Sequence, residues 1–150
     1  VRRVVEEVIA LLRYQAQQAH VAIRLDIHGA PRLFAAESDL GILVLNLGQN
    51  AIHAMPGGGA LTIRVATEGA TVRMTFADTG VGIEEENLKR IFWPFWSRRA
   101  DGSTGSGLGL AICRATVDRL GGAISVESKP GRGTTFTVTL ANADWEVDAA

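Results

Sequence analysis

The apolar residues of this chain do not keep one period. Val4, Val5, Val8, Ile9, Leu11 and Leu12 recur near helical spacing through residues 3–19. Val21, Ile23, Leu25 and Ile27 then alternate strictly with polar or small residues, the pattern of a half-buried strand, until His28-Gly29-Ala30-Pro31 stops it. A helical pattern cannot be folded as a strand, because the same spacing would scatter its apolar side chains over both faces of a sheet. Repeated switches of period therefore restrict the chain to a fold that layers helices on a sheet.

The switching continues. A short extended piece is expected at residues 32–35, and a second helix starts at Glu37 or Ser38. Its apolar residues Leu40, Leu43, Val44, Leu47, Ala51 and Ile52 share one side, and it ends before Met55-Pro56-Gly57-Gly58-Gly59. Strands at 61–66 and 72–77 follow, joined as a hairpin through Glu68-Gly69-Ala70. Residues 84–90 read as a short helix and 91–96 as an aromatic cluster. Residues 97–106 form a polar, glycine-punctuated loop. A last helix at 108–120 is capped by Gly121-Gly122, and strands at 124–127 and 134–140 meet in a Lys129-Pro130-Gly131 turn. Helices alternating with hairpin-joined strands predict an α+β fold: a two-layer sandwich of a mixed sheet with helices on one face. No internal repeat and no second domain is visible.

Composition narrows the function. With 150 residues the chain is one domain, and 47% hydrophobic against 21% charged residues is a globular balance. The net charge is −1 and the basic residues are dispersed, so no nucleic-acid partner is expected. The single cysteine, Cys113, sits in a helical apolar pattern and reads as a core thiol in a reducing compartment. No apolar run is long enough to cross a bilayer, and Val1-Arg2-Arg3 does not open a signal peptide. The expected location is the cytoplasm, without direct membrane contact by this domain. The opening on Val1 reads as a piece cut from a longer protein that is membrane-anchored or not.

Four short motifs carry chemistry. Asn46 and Asn50 are one helical turn apart, with His53 three residues further along the same side. Two carboxamide oxygens so placed suit a hard cation and its phosphates, although the helix taken alone favours two capped or solvent-facing asparagines. Asp78-Thr79-Gly80-Val81-Gly82-Ile83 sets a carboxylate at a strand end, able to accept from an exocyclic amine. Two glycines follow that let a planar ligand approach, although an ordinary acidic turn fits the motif as well. Gly105-Ser106-Gly107-Leu108-Gly109-Leu110 opens straight into a helix, which aims free N–H groups and a positive dipole end at an anion such as phosphate, or serves as a hinge. The fourth motif is Ile91-Phe92-Trp93-Pro94-Phe95.

In that order, N-x-x-x-N, D-x-G-x-G, I-F-x-P-F and G-x-G-L-G-L, the chain resembles the catalytic, ATP-binding domain of sensor histidine kinases. Their superfamily also holds gyrase, the Hsp90 chaperones and the MutL repair proteins. The resemblance runs from about residue 3 to residue 140, leaving 141–150 as a tail or linker. The phrase Asn50-Ala51-Ile52-His53-Ala54-Met55-Pro56-Gly57-Gly58-Gly59 is most similar to the nitrogen-regulation and oxygen-sensor branch.

The resemblance implies a Bergerat-type sandwich with an ATP lid and the cofactors ATP and Mg²⁺. It implies that Asp78 binds the adenine amino group, with Gly80, Gly82 and Ile83 beneath the purine and Thr134 near it. It implies that Asn50, supported by Asn46, holds Mg²⁺, and that His53 faces phosphate. Gly105, Ser106, Gly107, Leu108 and Gly109 would shape the lid. Lys89, Arg90, Arg98 and Arg99 flank the nucleotide region as candidate phosphate cations, Arg98 among the cofactor-binding residues, and Trp96-Ser97-Arg98-Arg99 in place of the usual run of two threonines and a lysine leaves the choice between them open. Relatives that hydrolyse ATP carry a glutamate at position 46 as general base, and Asn46 cannot take a proton, so γ-phosphoryl transfer to another nucleophile is expected instead.

None of His20, His28 and His53 sits in a phosphoacceptor setting. The acceptor histidine is therefore expected on a separate dimerisation domain of the parent kinase, docked through Phe92, Trp93, Phe95 and Trp96, with a response regulator downstream. Each of these rings equally suits capping the core. Two alternatives remain at this stage: an anti-sigma-type serine kinase, and a catalytically silent ATP-binding module.

Overall fold

The computed structural model describes residues 1–96 and 107–145. Helix α1 (Arg2–Gln18) leads into strand β1 (Val21–Ile27), helix α2 (Glu37–His53), strands β2 (Gly59–Glu68) and β3 (Thr71–Asp78), and the short helix α3 (Glu85–Leu88). Helix α4 (Gly109–Arg119) and strands β4 (Ala123–Lys129) and β5 (Gly133–Ala141) follow. The five strands form one sheet in the order β1-β2-β3-β5-β4. Only the β1–β2 pair is parallel, with α2 in the crossover between them; the other three pairs are antiparallel.

Alternation along the strands decides which face is covered. Leu61, Ile63 and Val65 of β2, Val72, Met74 and Phe76 of β3, and Phe136, Val138 and Leu140 of β5 are buried, and all fall on one face. The intervening residues, among them Thr62, Arg64, Arg73, Thr75 and Thr137, face solvent in whole or in part. Onto the apolar face pack Val5, Ile9 and Leu12 of α1, Leu43, Val44 and Leu47 of α2, and Cys113 and Val117 of α4. This is the two-layer α+β sandwich the periodicity predicts. Cys113 is the expected core thiol, and its burial pushes the thiol pKa up to about 12.

Several boundaries differ from the sequence reading, three of them for reasons the structure shows. Strand β2 begins at Gly59 rather than at 61, because pairing of Val21 with Gly59 draws residues that look like a turn into the ladder. Helix α3 is shorter than 84–90, since the chain tightens after Leu88, with Arg90 N–H bonded to Asn87 O, to bring Ile91 into the core. Of residues 32–35, only Leu33 pairs, in a bridge to Asn142. That bridge is one of several ties on the segment after β5. Asn142 N–H donates to Ala70 O, Ala143 N–H donates to Arg32 O, and the Asn142 side chain donates to Gly69 O. Up to Trp145, the residues expected as a tail are fastened to the fold.

Gly121 ends α4 in the left-handed region (φ 72°), with Gly122 N–H reaching back to Val117 O, the capping geometry expected of Gly121-Gly122. Gly48 has a different reason to be glycine. A Cβ there would lie 2.5 Å from Leu12 Cδ1, so the α1–α2 seam closes only over a bare Cα. Gly48→Ala gains about 1 kcal/mol of helix propensity but overpacks a sealed seam at about 1–3 kcal/mol. We expect a lower Tm for Gly48→Ala alone. In a Leu12→Val background, where Cδ1 is gone, the same change becomes neutral or stabilising, as thermal denaturation of the four chains will read.

Candidate nucleotide site

The ends of four strands lie in one row. Leu61 pairs with Asp78, Asp78 with Thr134, and Thr134 with Ser128, so the last three polar side chains all sit on the helix-covered face at the sheet's edge. Asp78 and Thr134 are buried, 7% and 4% exposed. Asp78 Oδ1 accepts from Gly80 N–H at 2.8 Å and from Thr134 N–H at 3.2 Å. Among the described residues nothing bonds Oδ2, so one carboxylate oxygen is fixed by the backbone while the other stays available to a donor. Burial raises the Asp78 pKa above its ordinary value of 3.8, and the two backbone N–H groups pull it back in part.

Ser128, which the motif reading missed, organises the row. Its Oγ accepts from Ile83 N–H at 2.8 Å, donates to Gly133 O at 3.0 Å and lies 2.8 Å from Thr134 Oγ1. With its one proton on Gly133 O, the Thr134 hydroxyl is the donor between the two. Thr79 is the second missed residue. Its hydroxyl accepts from Ala60 N–H at 3.0 Å and fastens the loop after β3 to β2. Both follow from strand register, which pairs residue 134 with residues 78 and 128 and residue 61 with residue 78; no local motif announces it.

Gly80 and Gly82 were assigned to the approach of a planar ligand, and the structure shows a different demand on them. A Cβ on Gly80 would run into the Ala54 carbonyl at the end of α2. One on Gly82, at φ 76°, would run into the Lys129 carbonyl. Val81 N–H donates to Ala54 O at 3.0 Å, and Gly131 N–H donates to Val81 O at 2.7 Å. The 79–83 segment is thus sewn between α2 and the β4–β5 turn, and backbone packing alone requires both glycines. Ile83 is half-buried against the core.

Helix α2 supplies the amides. Asn46 Nδ2 donates back to Ile42 O at 2.9 Å, which leaves its Oδ1 facing α4; a Cβ on Gly109 would sit 3.1 Å from that oxygen. Asn50 is half-buried, and among the described residues nothing bonds its carboxamide. His53 does not face only outward: its Nε2 lies 3.2 Å from Gln15 Nε2 on α1. Opposite, α4 starts at Gly109 after Leu108, and the N–H groups of its first turn have no partner within the helix. Gly107 is left-handed (φ 72°), and its carbonyl accepts from Phe95 N–H at 2.9 Å. Arg98, Gly105 and Ser106 lie outside the described residues.

Asn46 Oδ1 faces the start of α4, and the half-buried Asn50 carboxamide lies one turn further along α2; amide oxygens of this kind could take a hard cation. Among the described residues no three His, Cys, Asp or Glu side chains cluster as a ready-made metal cage.

The aromatic segment divides. Phe92 is half-buried, edge-on to Phe136 at 6.3 Å, and Trp96 is half-buried against the core. Trp93 and Phe95 are 56% and 78% exposed, with the Arg90 guanidinium 6.0 Å from the Trp93 ring.

Because the folded-state pKa of Asp78 is raised, protonation favours the folded chain. That contribution is complete below 3.8 and is lost as pH rises through the higher folded value. Asp78→Asn keeps an oxygen for Gly80 and Thr134 without a buried charge. We expect its Tm at pH 7 to equal or exceed that of the unchanged chain, and the difference to close as pH falls toward 4; calorimetric melts across pH check this.

Residues 35–144 match the family described as histidine kinase-, DNA gyrase B-, and HSP90-like ATPase. The sensor histidine kinase ZraS of Klebsiella oxytoca is 40% identical over 123 residues, which are 79% of this chain and 26% of that protein. The catalytic domain of the histidine kinase ThkA superposes with a TM-score of 0.83 at 27% identity, covering 94% of this chain and 93% of that one. Full-length ShkA in complex with AMPPNP superposes with a TM-score of 0.80 at 30% identity, covering 93% of this chain and 30% of that one. The chain spans 19% to 28% of the length of the curated relatives it first matches. A family match over residues 35–144, on a sandwich that superposes on histidine kinase catalytic domains, makes this chain a member of the histidine kinase-, gyrase- and HSP90-like ATPase family.

Proposed function

We propose that this chain is the catalytic domain of a sensor histidine kinase, which binds Mg-ATP and gives its γ-phosphoryl group to a histidine on a separate dimerisation domain of the same parent. The observation that carries the reading is Asp78: a buried carboxylate with Oδ1 pinned by two backbone N–H groups and Oδ2 unengaged. A buried acceptor of that kind is costly unless a donor arrives, and the adenine amino group is such a donor. Thr134 and Ile83 line the same end of the sheet, with Gly80 and Gly82 holding the loop in place. Phosphates then extend toward α2 and the start of α4. Asn50 and Asn46 Oδ1 would hold Mg²⁺ there, and the ion's charge would offset that of the phosphates.

The protein's own part in the transfer is positioning. Asn46 spends its amide hydrogens on Ile42 O and has no basic atom, so a water beside the γ-phosphoryl finds no proton acceptor at that position. His53, braced by Gln15, borders the phosphate end, and Arg98 is the lid cation of this reading. The three histidines sit at the start of β1, at the turn after it beside Asp26, and on α2 beside Gln15. An acceptor on another domain, and a response regulator after it, complete the phosphorelay. The ATP supply places the domain in the cytoplasm. Trp93 and Phe95, exposed and adjacent, are the rings that dock on the acceptor domain, while Phe92 and Trp96 serve the core.

Asp78→Asn replaces the acceptor with a donor, so ATP affinity by calorimetry should fall about 10- to 100-fold, the value of a charge-assisted hydrogen bond. Unchanged affinity would remove adenine from residue 78. Incubation with labelled ATP and the parent's dimerisation domain should give an acid-labile, base-stable phosphoprotein; acid-stable label would point to a hydroxyl acceptor instead. Trp93→Ala with Phe95→Ala should slow that transfer by roughly tenfold or more while ATP affinity holds.

A further inference from the structure

Helices α2 and α4 run antiparallel along the covered face, and an ion pair joins the ends remote from the amides. Arg119, in the last turn of α4, grips Asp39, in the first turn of α2, with both arms: Nη2 to Oδ1 at 2.9 Å and Nη1 to Oδ2 at 3.1 Å. The Asp39 side chain is only 16% exposed, and the two residues are 80 positions apart in sequence. At the other end the helices nearly touch, Gly109 against Asn46 Oδ1. Between the two ends the buried residues of α4 are Cys113, Thr116 and Val117, with Leu110 partly buried against the core.

We infer that Asp39 and Arg119 are positioning residues for phosphate binding: their bidentate bridge sets the tilt of α4 on α2, and with it the distance between the first-turn N–H groups of α4 and the amides of Asn46 and Asn50. The inference rests on the proposed placement of phosphates between those two groups. Its physical content is leverage. An eleven-residue helix is about 16 Å long, so a tilt of roughly 10° about its C-terminal end moves its N-terminus by about 3 Å, the length of a hydrogen bond. The pair is suited to a hinge pin. A guanidinium fork on a carboxylate fixes direction as well as distance, which a lysine cannot do. Each charge also sits at the helix end whose dipole favours it. The pair depresses the Asp39 carboxyl below its ordinary value, so the bridge is intact at neutral pH.

The test separates tilt from stability by comparing two ligands. Adenosine engages the Asp78 end only, and Mg-ATP engages both ends. In Asp39→Asn and in Arg119→Gln, Mg-ATP affinity should fall about threefold to tenfold while adenosine affinity stays put. The double variant should lose no more than either single one, and Arg119→Lys, which keeps the charge but not the fork, should fall between. A lowered Tm with an unchanged ratio of Mg-ATP to adenosine affinity overturns the inference, leaving the pair a stabilising contact. Equal loss of both ligands overturns it as well. If the unchanged chain binds Mg-ATP no better than adenosine, the placement of phosphates between α2 and α4 fails, and the positioning role with it. Thermal melts alongside, and Arg119→Lys as the mildest change, keep the result readable.

Discussion

The two backbone N–H groups on Asp78 Oδ1 tie the site to the sheet. One comes from Gly80, in the loop that leaves β3, and the other from Thr134, in the neighbouring strand. The first is a local turn bond; the second is possible only because β3 and β5 are in the register that sets residue 78 opposite residue 134. The same register brings Ser128 to Thr134 and, through Ser128, the Ile83 N–H. A shift of the ladder by one residue would turn Thr134 to the solvent face and dissolve the row. The chemistry at this edge is therefore a product of the core: Phe76 opposite Phe136 and Met74 opposite Val138 hold the register that the polar residues use.

The helices complete the site from the other side, and they are held less uniformly. Helix α2 is buried along its length and locked to α1 where Leu12 covers Gly48. It is joined to the Asp78 end of the site through the Ala54 carbonyl, which takes the Val81 N–H. Helix α4 has a thin apolar stripe, and just ahead of it Gly107 O takes the Phe95 N–H. On the proposed placement of the nucleotide, the base would meet the more firmly built part and the phosphates the more lightly held one, a sensible division for a domain that takes up a nucleotide and then releases the spent one.

Much of the fold was legible in the sequence, for identifiable reasons. Strict alternation in Val21–Ile27 and helical spacing in Leu40, Leu43, Val44 and Leu47 report directly on which face is covered, because burial is what the pattern encodes. The end of α4 was legible in Gly121-Gly122 for the same local reason. What was not legible depends on partners far along the chain. Gly59 and Ala60 look like the tail of a Pro-Gly turn until β1 claims them. Ser128 looks like one more polar strand residue until β5 sets Thr134 beside it. Asn142 to Trp145 look like an acidic end until Ala70, Gly69 and Arg32 supply acceptors. The motif residues Asp78, Asn46 and Asn50 stood out because their chemistry is unusual for where the pattern puts them. The division of the aromatic run into Phe92 and Trp96 inside, Trp93 and Phe95 outside, needed coordinates, since four neighbouring rings carry no period.

The two glycines after Asp78 have a consequence for how such chains are recognised. Their missing side chains make room for the Ala54 and Lys129 carbonyls, contacts the protein makes with itself. A relative that had given up its nucleotide would still need both to close its loop, so their presence records inherited architecture. Whether a given member still handles a purine is better asked of the carboxylate at 78 and the amide at 50, whose cost or idleness nothing in the empty scaffold would repay.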